Sequence, residues 1–310
     1  LDEIAKNLRQ DRMKKGAISF DRVEVNFNLK EDNKPESVYF KTSKDSNKLI
    51  EEFMLLANKQ VARFAGKREQ PLPMVYRVHD EPDPDKLTNL QSVVAGFGYK
   101  FNLKTKNINQ SINQLLADSH GKQEQNMIDT LTIRCMSKAE YTTNNIGHYG
   151  LAFDYYAHFT SPIRRYPDVM VHRLLQHHLD KTNVKLLELL EEASIHSSQQ
   201  EQLATKAERD SIKFMQIKFM EHHIGHQFEG VISGVTERGI YVEIIENKCE
   251  GMVRIKDLPG DYFFYDDRQH CLVGERTNII YQLGDLIQIK VEKADLIKRH
   301  LDFSIVQAEN

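Results

Sequence analysis

Tryptophan is absent from the 310-residue sequence, and cysteine occurs only at Cys135, Cys249 and Cys271. The three cysteines are far apart, odd in number and form no CxxC pair. This usage supports neither a disulfide framework nor a zinc ribbon. A reducing cytosol is the natural compartment for such a chain, so we expect a cytoplasmic protein.

Long apolar runs are also missing. No stretch of about 18 apolar residues is present, which predicts no membrane-spanning helix and no membrane partner. The first residues, LDEIAKNLRQ, do not resemble a signal peptide and do not begin with methionine. We therefore expect the chain to be part of a longer protein.

Neither sign of charge dominates the sequence. The 42 Lys and Arg residues and 45 Asp and Glu residues give a net charge of -3. This balance excludes a uniformly basic coat for nucleic acid but allows a local basic patch. The 15 Phe and 12 Tyr residues argue against general disorder.

The texture of the sequence changes near Gly225. Before it, apolar spacing predicts mainly helices, and after it short β-like runs predominate. The length suits roughly two domains. We therefore predict an α+β protein with domains at 1–224 and 225–310.

The first region is predicted to be rich in helices, with some antiparallel strand. Leu49, Phe53, Leu56, Ala57 and Val61 form the apolar stripe of one helix that ends at Gly66. The remaining predicted strands are a hairpin (17–29 with 38–41) and two short strands (74–80 and 150–153). The remaining predicted helices are two within 108–135, one from Ser161-Pro162 to about 180, and one over 184–222 that breaks near Ser197.

Five short runs after Gly225 predict a small OB-fold barrel. They lie at 227–235, 238–245, 250–255, 285–295 and 301–306. The aromatic and acidic segment 259–277 is predicted to form a hairpin. The region carries 10 Lys and Arg and 15 Asp and Glu residues, a net charge of -5, so nucleic acid would need a local binding face.

The densest concentration of reactive side chains is HYGLAFDYYAHFTSPIRRYPDVMVHRLLQ (148–176). A helix that starts at Ser161-Pro162 would present free backbone N–H groups, with Arg164 and Arg165 in its first turn. Guanidinium groups add bidentate bonds to phosphate, so this arrangement suits a phosphate site. The alternative is a structural ion pair, for example between Arg165 and Asp168.

The segment 148–175 closely resembles the signature of the ribonuclease II/ribonuclease R family of exoribonucleases. GAISF (16–20), LIEEFMLLAN (49–58) and ATKAERD (204–210) match other parts of that family's catalytic domain. The predicted barrel resembles the S-one-type RNA-binding module that follows it. The order and spacing of these segments agree over essentially the whole chain.

The resemblance implies a processive 3′→5′ hydrolase that converts single-stranded RNA to nucleoside 5′-monophosphates with two divalent ions, usually Mg²⁺. In this family role, Arg164 clamps the phosphate at the scissile end and Glu51 contacts the terminal ribose, whose 2′-hydroxyl distinguishes RNA from DNA. Phe20 stacks on a base. Glu208 matches an acidic position near the active centre.

Further RNA-binding candidates are Arg165 and Tyr166 in the signature, and Tyr241 and Arg254 in the barrel. Each candidate also has a structural alternative: Tyr166 is expected to pack or hydrogen-bond, as is His158. For the remaining residues, Phe20 and Phe228 could be core side chains, Glu51 could favour a helix dipole, and Glu208 could form an exposed pair with Arg209.

The chain departs from the family in its acidic residues. The family's metal site is a tight aspartate cluster, whereas DEPDPD (80–85) has prolines that suggest a solvated turn. We expect the aspartates upstream of Leu1, no metal site in this chain and no activity in the isolated 310 residues. A non-catalytic RNA-binding module, or an unrelated helical domain with an OB-fold adaptor for proteins, remain alternatives.

Overall fold

A computed structural model describes residues 1–18, 24–42, 44–105, 107–122, 125–182, 187–266, 269 and 271–306. The chain divides into two compact units, each assembled from three stretches. The first comprises Leu1–Phe20, Ser43–Ala117 and Thr132–Thr205; the second comprises Asp21–Thr42, Asp118–Leu131 and Lys206–Asn310. The domain boundary at residue 224 stays a prediction.

Helices dominate the first unit. In chain order the helices are α1 (Asp2–Lys14), α2 (Asp45–Gly66), α3 (Pro84–Gly96), α4 (Ile108–Ser119), α5 (Gln125–Cys135), α6 (Tyr166–Leu179) and α7 (Leu187–Met220). Helices α4, α5 and α7 are each divided between the two units. None of the helices in the described ranges combines the length and apolar character needed to cross a membrane.

The core of the first unit forms where α2 and α6 meet a small sheet. Its buried residues are Ala62, Ala65, Met74, Val75, Tyr76, Val78, Tyr141, Ala157, Met170, Val171 and Leu174. The predicted stripe of α2 is wrong in position, because its members are only half-buried. The fully buried face instead follows Glu52, Leu55, Asn58 and Ala62, since two polar side chains find partners there.

Three local predictions in this unit are wrong. Helix α6 begins at Tyr166, because Pro167 and not Pro162 occupies its first turn. A short 3₁₀ helix, Tyr149–Leu151, replaces the strand predicted over 150–153. Helix α7 continues through Ser197, whose hydroxyl donates to the Ala193 carbonyl one turn earlier instead of breaking the helix.

The second unit is built from strands, which are numbered here together with those of the first unit. They are β1 (Glu24–Leu29), β2 (Pro35–Lys41), β3 (Tyr76–Val78), β4 (Glu140–Thr142), β5 (Gln227–Thr236), β6 (Gly239–Ile244), β7 (Glu250–Arg254), β8 (Phe263–Asp266), β9 (Cys271–Gly274), β10 (Ile280–Tyr281), β11 (Leu286–Asp295) and β12 (His300–Ile305). Strands β1 and β2 form the predicted hairpin over 24–29 and 35–41, while residues 19–23 of its predicted first strand lie outside the described residues. Strand β3 pairs with β4 in the first unit.

A closed barrel of five strands forms the centre of the second unit. Its order is β11-β12-β7-β6-β5, and β11 also pairs with β5. This is the order of an OB-fold, and each predicted run matches its strand to within about two residues. The predicted hairpin at 259–277 is confirmed as β8 and β9, and Leu272 packs into the barrel core.

Candidate functional site

A cavity of about 530 Å³ opens on the first half of α2. Positions 47, 51, 54 and 58 recur at helical spacing, so one face of α2 supplies most of its lining. Its lining residues are Ser46, Asn47, Ile50, Glu51, Met54, Leu55, Asn58, Tyr156 and Arg165. The fold thus brings together Glu51 and Arg165, two of the predicted site residues.

Glu51 and Glu52 diverge in environment although they are adjacent in α2. Glu52 is buried and forms an ion pair with the buried guanidinium of Arg12 from α1. The Glu51 side chain is 55% exposed, and its Oε1 lies 3.7 Å from the same guanidinium. Glu51 is the seventh residue of α2, beyond the first turn, so the helix dipole does not explain its presence.

Arg165 is held by Asp168 through the structural ion pair considered above. Its Nε and Nη2 donate to the two carboxylate oxygens at 2.8 and 2.9 Å. Asp168 is fully buried and also accepts the Ser161 N–H at 2.7 Å. Two of the five guanidinium donors are therefore committed, which leaves three for a ligand in the cavity.

Arg164 lies in a turn at 162–164 and not in a helix, contrary to the prediction. Its side chain is exposed, and within the described residues it makes no hydrogen bond or ion pair. Tyr166, the first residue of α6, is 56% exposed, which does not support a packing role. The turn therefore presents a free cation and an aromatic ring to solvent.

Asn58 is a site residue that sequence reasoning missed. It is 2% exposed, and its Oδ1 accepts the N–H groups of Phe159 and Thr160 at 3.0 and 3.2 Å. Its Nδ2 donates to the Tyr156 hydroxyl at 3.1 Å. The available signal was an amide at helical spacing from Leu55 and Ala62, because a buried amide requires partners.

Two histidines of the signature are half-buried, and their surroundings favour the neutral ring. Burial lowers the pKa of His158 to about 2 and that of His148 to about 3. His158 Nδ1 lies 2.8 Å from the Tyr141 hydroxyl, which confirms its predicted hydrogen-bonding role. These rings therefore support the site and add no positive charge to it.

Of the two remaining candidates in the first region, only Glu208 lies within the described residues. Phe20 lies outside the described residues. Glu208 lies on α7 in the second unit and is exposed, and the described residues offer it no hydrogen bond or ion pair, with Arg209 or otherwise.

Tyr241 and Arg254 share the outer face of the barrel. Tyr241 on β6 faces Met252 on β7, while Gly239 faces Arg254, so the two side chains lie on the same side of the sheet. Arg254 is exposed and donates from Nε to Asp257 at 2.6 Å. Phe228 packs against the barrel core, as its structural alternative predicted.

The acidic segment 80–85 serves as a helix start. Asp83 accepts the N–H groups of Asp85 and Lys86 and caps α3. In the ranges that the structure describes, no group of three or more His, Cys, Asp or Glu side chains could hold a metal ion. The described residues therefore do not fit the divalent ions that the family resemblance implies.

Comparisons with known proteins identify two regions of the chain. The RNB domain model matches residues 1–181, and the S1 RNA binding domain model matches residues 221–306. Ribonuclease R of Aquifex aeolicus is 36% identical over 99% of this chain and 44% of its own length. Ribonuclease R 1 of Lactococcus lactis is 38% identical over 99% and 38%.

A solved structure, Mycoplasma genitalium RNase R in complex with ribose methylated single-stranded RNA, has a TM-score of 0.91 at 28% identity. The match covers 98% of this chain and 48% of that one. The chain spans less than half the length of these relatives. Because the RNB model covers more than half of the chain, and the fold agrees with a solved relative, the chain belongs to the RNB exoribonuclease family.

Proposed function

We propose that the protein containing this chain is a processive 3′→5′ exoribonuclease that hydrolyses single-stranded RNA to nucleoside 5′-monophosphates. The observation that carries the proposal is the cavity that joins Glu51 to Arg165, beside the exposed Arg164. A relative of the same fold has been solved with single-stranded RNA, which supports the choice of polymer.

The described side chains suit the two ends of a nucleotide. Arg164 is an uncommitted cation that can form charge-assisted bonds with a phosphate, and Arg165 adds three N–H donors in a direction fixed by Asp168. The carboxylate of Glu51 only accepts hydrogen bonds, so it suits the two hydroxyl donors of a terminal ribose. DNA lacks one of those donors.

The barrel supplies a second contact with RNA in this proposal. The half-buried ring of Tyr241 provides a stacking surface, and Arg254 on the same face provides positive charge. Because the barrel region carries a net charge of -5, its affinity depends on this local face and not on its overall field.

We further propose that hydrolysis by the whole protein requires Mg²⁺ and takes place in the cytoplasm. The 310-residue chain alone is proposed to bind RNA without cleaving it, since its described residues offer no metal-binding group. The three cysteines are buried thiols, which is compatible with a reducing compartment.

The first test is the affinity of the 310-residue chain for a fluorescein-labelled oligoribonucleotide, measured by anisotropy over a range of salt concentrations. Arg164→Ala is expected to weaken binding about tenfold and to reduce the salt slope by about one. Arg173→Ala, which removes an exposed arginine from α6, is the matched control. Equal affinities of both variants and the wild type would remove Arg164 from the site.

The second test incubates a mass-verified sample with the same RNA and Mg²⁺. We expect intact RNA, and release of mononucleotides would overturn the proposal that this chain alone is inactive. The same experiment on the full-length protein separates the exoribonuclease from a non-catalytic RNA-binding module. Intact RNA there, with binding preserved, would support the module.

A further inference from the structure

We propose that Asn58 is a positioning residue that couples α2, which carries Glu51, to the turn that carries Arg164 and Arg165. This inference rests on the proposed function. It assigns to a buried amide the task of holding the phosphate-binding turn against the ribose-binding helix.

Helix α2 fixes the separation between Glu51 and Asn58, because both lie on one continuous helix. Glu51 and Asn58 are seven residues apart, which is about two turns or 10 Å along one face of the helix. Both line the same cavity. Any segment attached to Asn58 is therefore held at a set distance from the Glu51 carboxylate.

Side chains anchor the backbone that leads into the turn. Three consecutive N–H groups, those of Phe159, Thr160 and Ser161, donate to side chains and not to other backbone groups. Asn58 accepts the first two and Asp168 accepts the third. Residues 158–161 belong to no helix or strand, so side chains hold them in place. Tyr141 contacts His158 and His172 contacts Phe159, but only Asn58 and Asp168 accept the N–H groups that lead into the turn.

Asn58 and Asp168 act on different parts of the turn. Asp168 fixes Arg165 directly through two hydrogen bonds. Arg164 has no side-chain partner in the described parts of the chain, so its position follows the backbone alone. Loss of Asn58 would free two of the three anchoring N–H groups and would act on RNA through the position of Arg164.

The test is a double-mutant cycle on the intact 310-residue chain, read as affinity for a single-stranded oligoribonucleotide. Arg164→Ala is expected to cost about tenfold in the wild-type background. In the Asn58→Ala background, we expect the same change to cost less than threefold. Asn58→Asp keeps an acceptor for both N–H groups, and its second carboxylate oxygen can accept from the Tyr156 hydroxyl where the amide now donates to it. This variant should therefore restore the tenfold effect.

A matched control separates positioning from general stability. Val75→Ala removes a buried core contact in the same unit without touching these hydrogen bonds. We expect Arg164→Ala to keep its tenfold cost in that background. An equal cost in the wild-type, Asn58→Ala and Val75→Ala backgrounds would overturn the inference. No effect of Arg164→Ala in the wild type would instead overturn the proposed function.

Amide hydrogen exchange of the wild type provides a test that needs no variant to fold. We expect the Phe159 and Thr160 amides to exchange as slowly as those of the neighbouring buried strand β3. Exchange at the rate of exposed amides, in a protein whose β3 amides remain protected, would also overturn the inference, because the anchoring bonds would then be absent in solution.

Discussion

The ion pair between Arg12 and Glu52 predicts an unequal response to the loss of either partner. Both side chains are buried, with 7% and 5% of their surface exposed, and they connect α1 to α2. Removing one member of a buried pair typically lowers the free energy of unfolding by about 3–5 kcal/mol, because the other charge stays uncompensated. The surroundings decide where in that range each variant falls.

Glu51 sets the difference between the two variants. In Glu52→Met, the Arg12 guanidinium still has the Glu51 carboxylate 3.7 Å away, so we expect the free energy of unfolding to fall by about 3 kcal/mol. In Arg12→Met, two neighbouring carboxylates lose their shared cation and one of them is buried. We expect that loss to approach about 5 kcal/mol. The double variant Arg12→Met/Glu52→Met should recover most of the stability.

The assay is urea unfolding followed by the circular dichroism of the helices. Lys6→Ala is the matched control, because its ion pair with Asp2 on the same helix is more than half exposed and is screened by solvent, so its loss should barely change the stability. Equal losses for Arg12→Met and Glu52→Met, or losses no larger than that of Lys6→Ala, would refute the assignment of a buried, asymmetrically supported pair.

Three further predictions concern pH, the barrel and RNA. The folded-state pKa values of His148 and His158, about 3 and about 2, lie below the unfolded value, so the unfolded chain binds more protons below pH 6.5. Stability should fall by about 4 kcal/mol from pH 7 to pH 5, and an unchanged urea midpoint would contradict this. Gly239 has a φ of +144°, and a Cβ added there would meet backbone atoms of β7, so Gly239→Ala should destabilise the barrel by about 3 kcal/mol. Gly260→Ala, at an open position with a φ of +90°, is the control and should cost about 1 kcal/mol. Equal losses of stability in calorimetry would refute this reasoning. Tyr241→Ala should weaken binding of single-stranded RNA by about 1–3 kcal/mol in an anisotropy titration, because the ring is proposed to stack on a base. An unchanged affinity would show that the ring does not stack.

The sequence predicted the barrel well and the start of α6 poorly, for a physical reason. Alternating apolar residues define a strand at each position, so many residues contribute to each predicted run. A helix start depends on one or two residues, and Pro162 and Pro167 satisfy the same rule. The pairing of Arg165 with Asp168 was predictable because the two residues are only three positions apart.

Long-range contacts in the site could not be predicted from local patterns. Asn58 reaches Phe159 and Thr160 across about a hundred residues of sequence, and no periodicity encodes such a contact. The meeting of Glu51 with Arg165 followed from family resemblance alone at the level of sequence. In the structure, Glu51 and Arg165 line the same cavity because α2 packs against the loop before α6.

The anchoring of three consecutive N–H groups by Asn58 and Asp168 has a consequence for protein engineering. The shape of the turn in SPIRR (161–165) depends on two acceptors that lie outside it, on two different helices. A transplanted copy of this short motif would therefore lose its conformation in a new scaffold. A graft that aims to move the arginine turn must carry both acceptors, and with them the relative placement of α2 and α6.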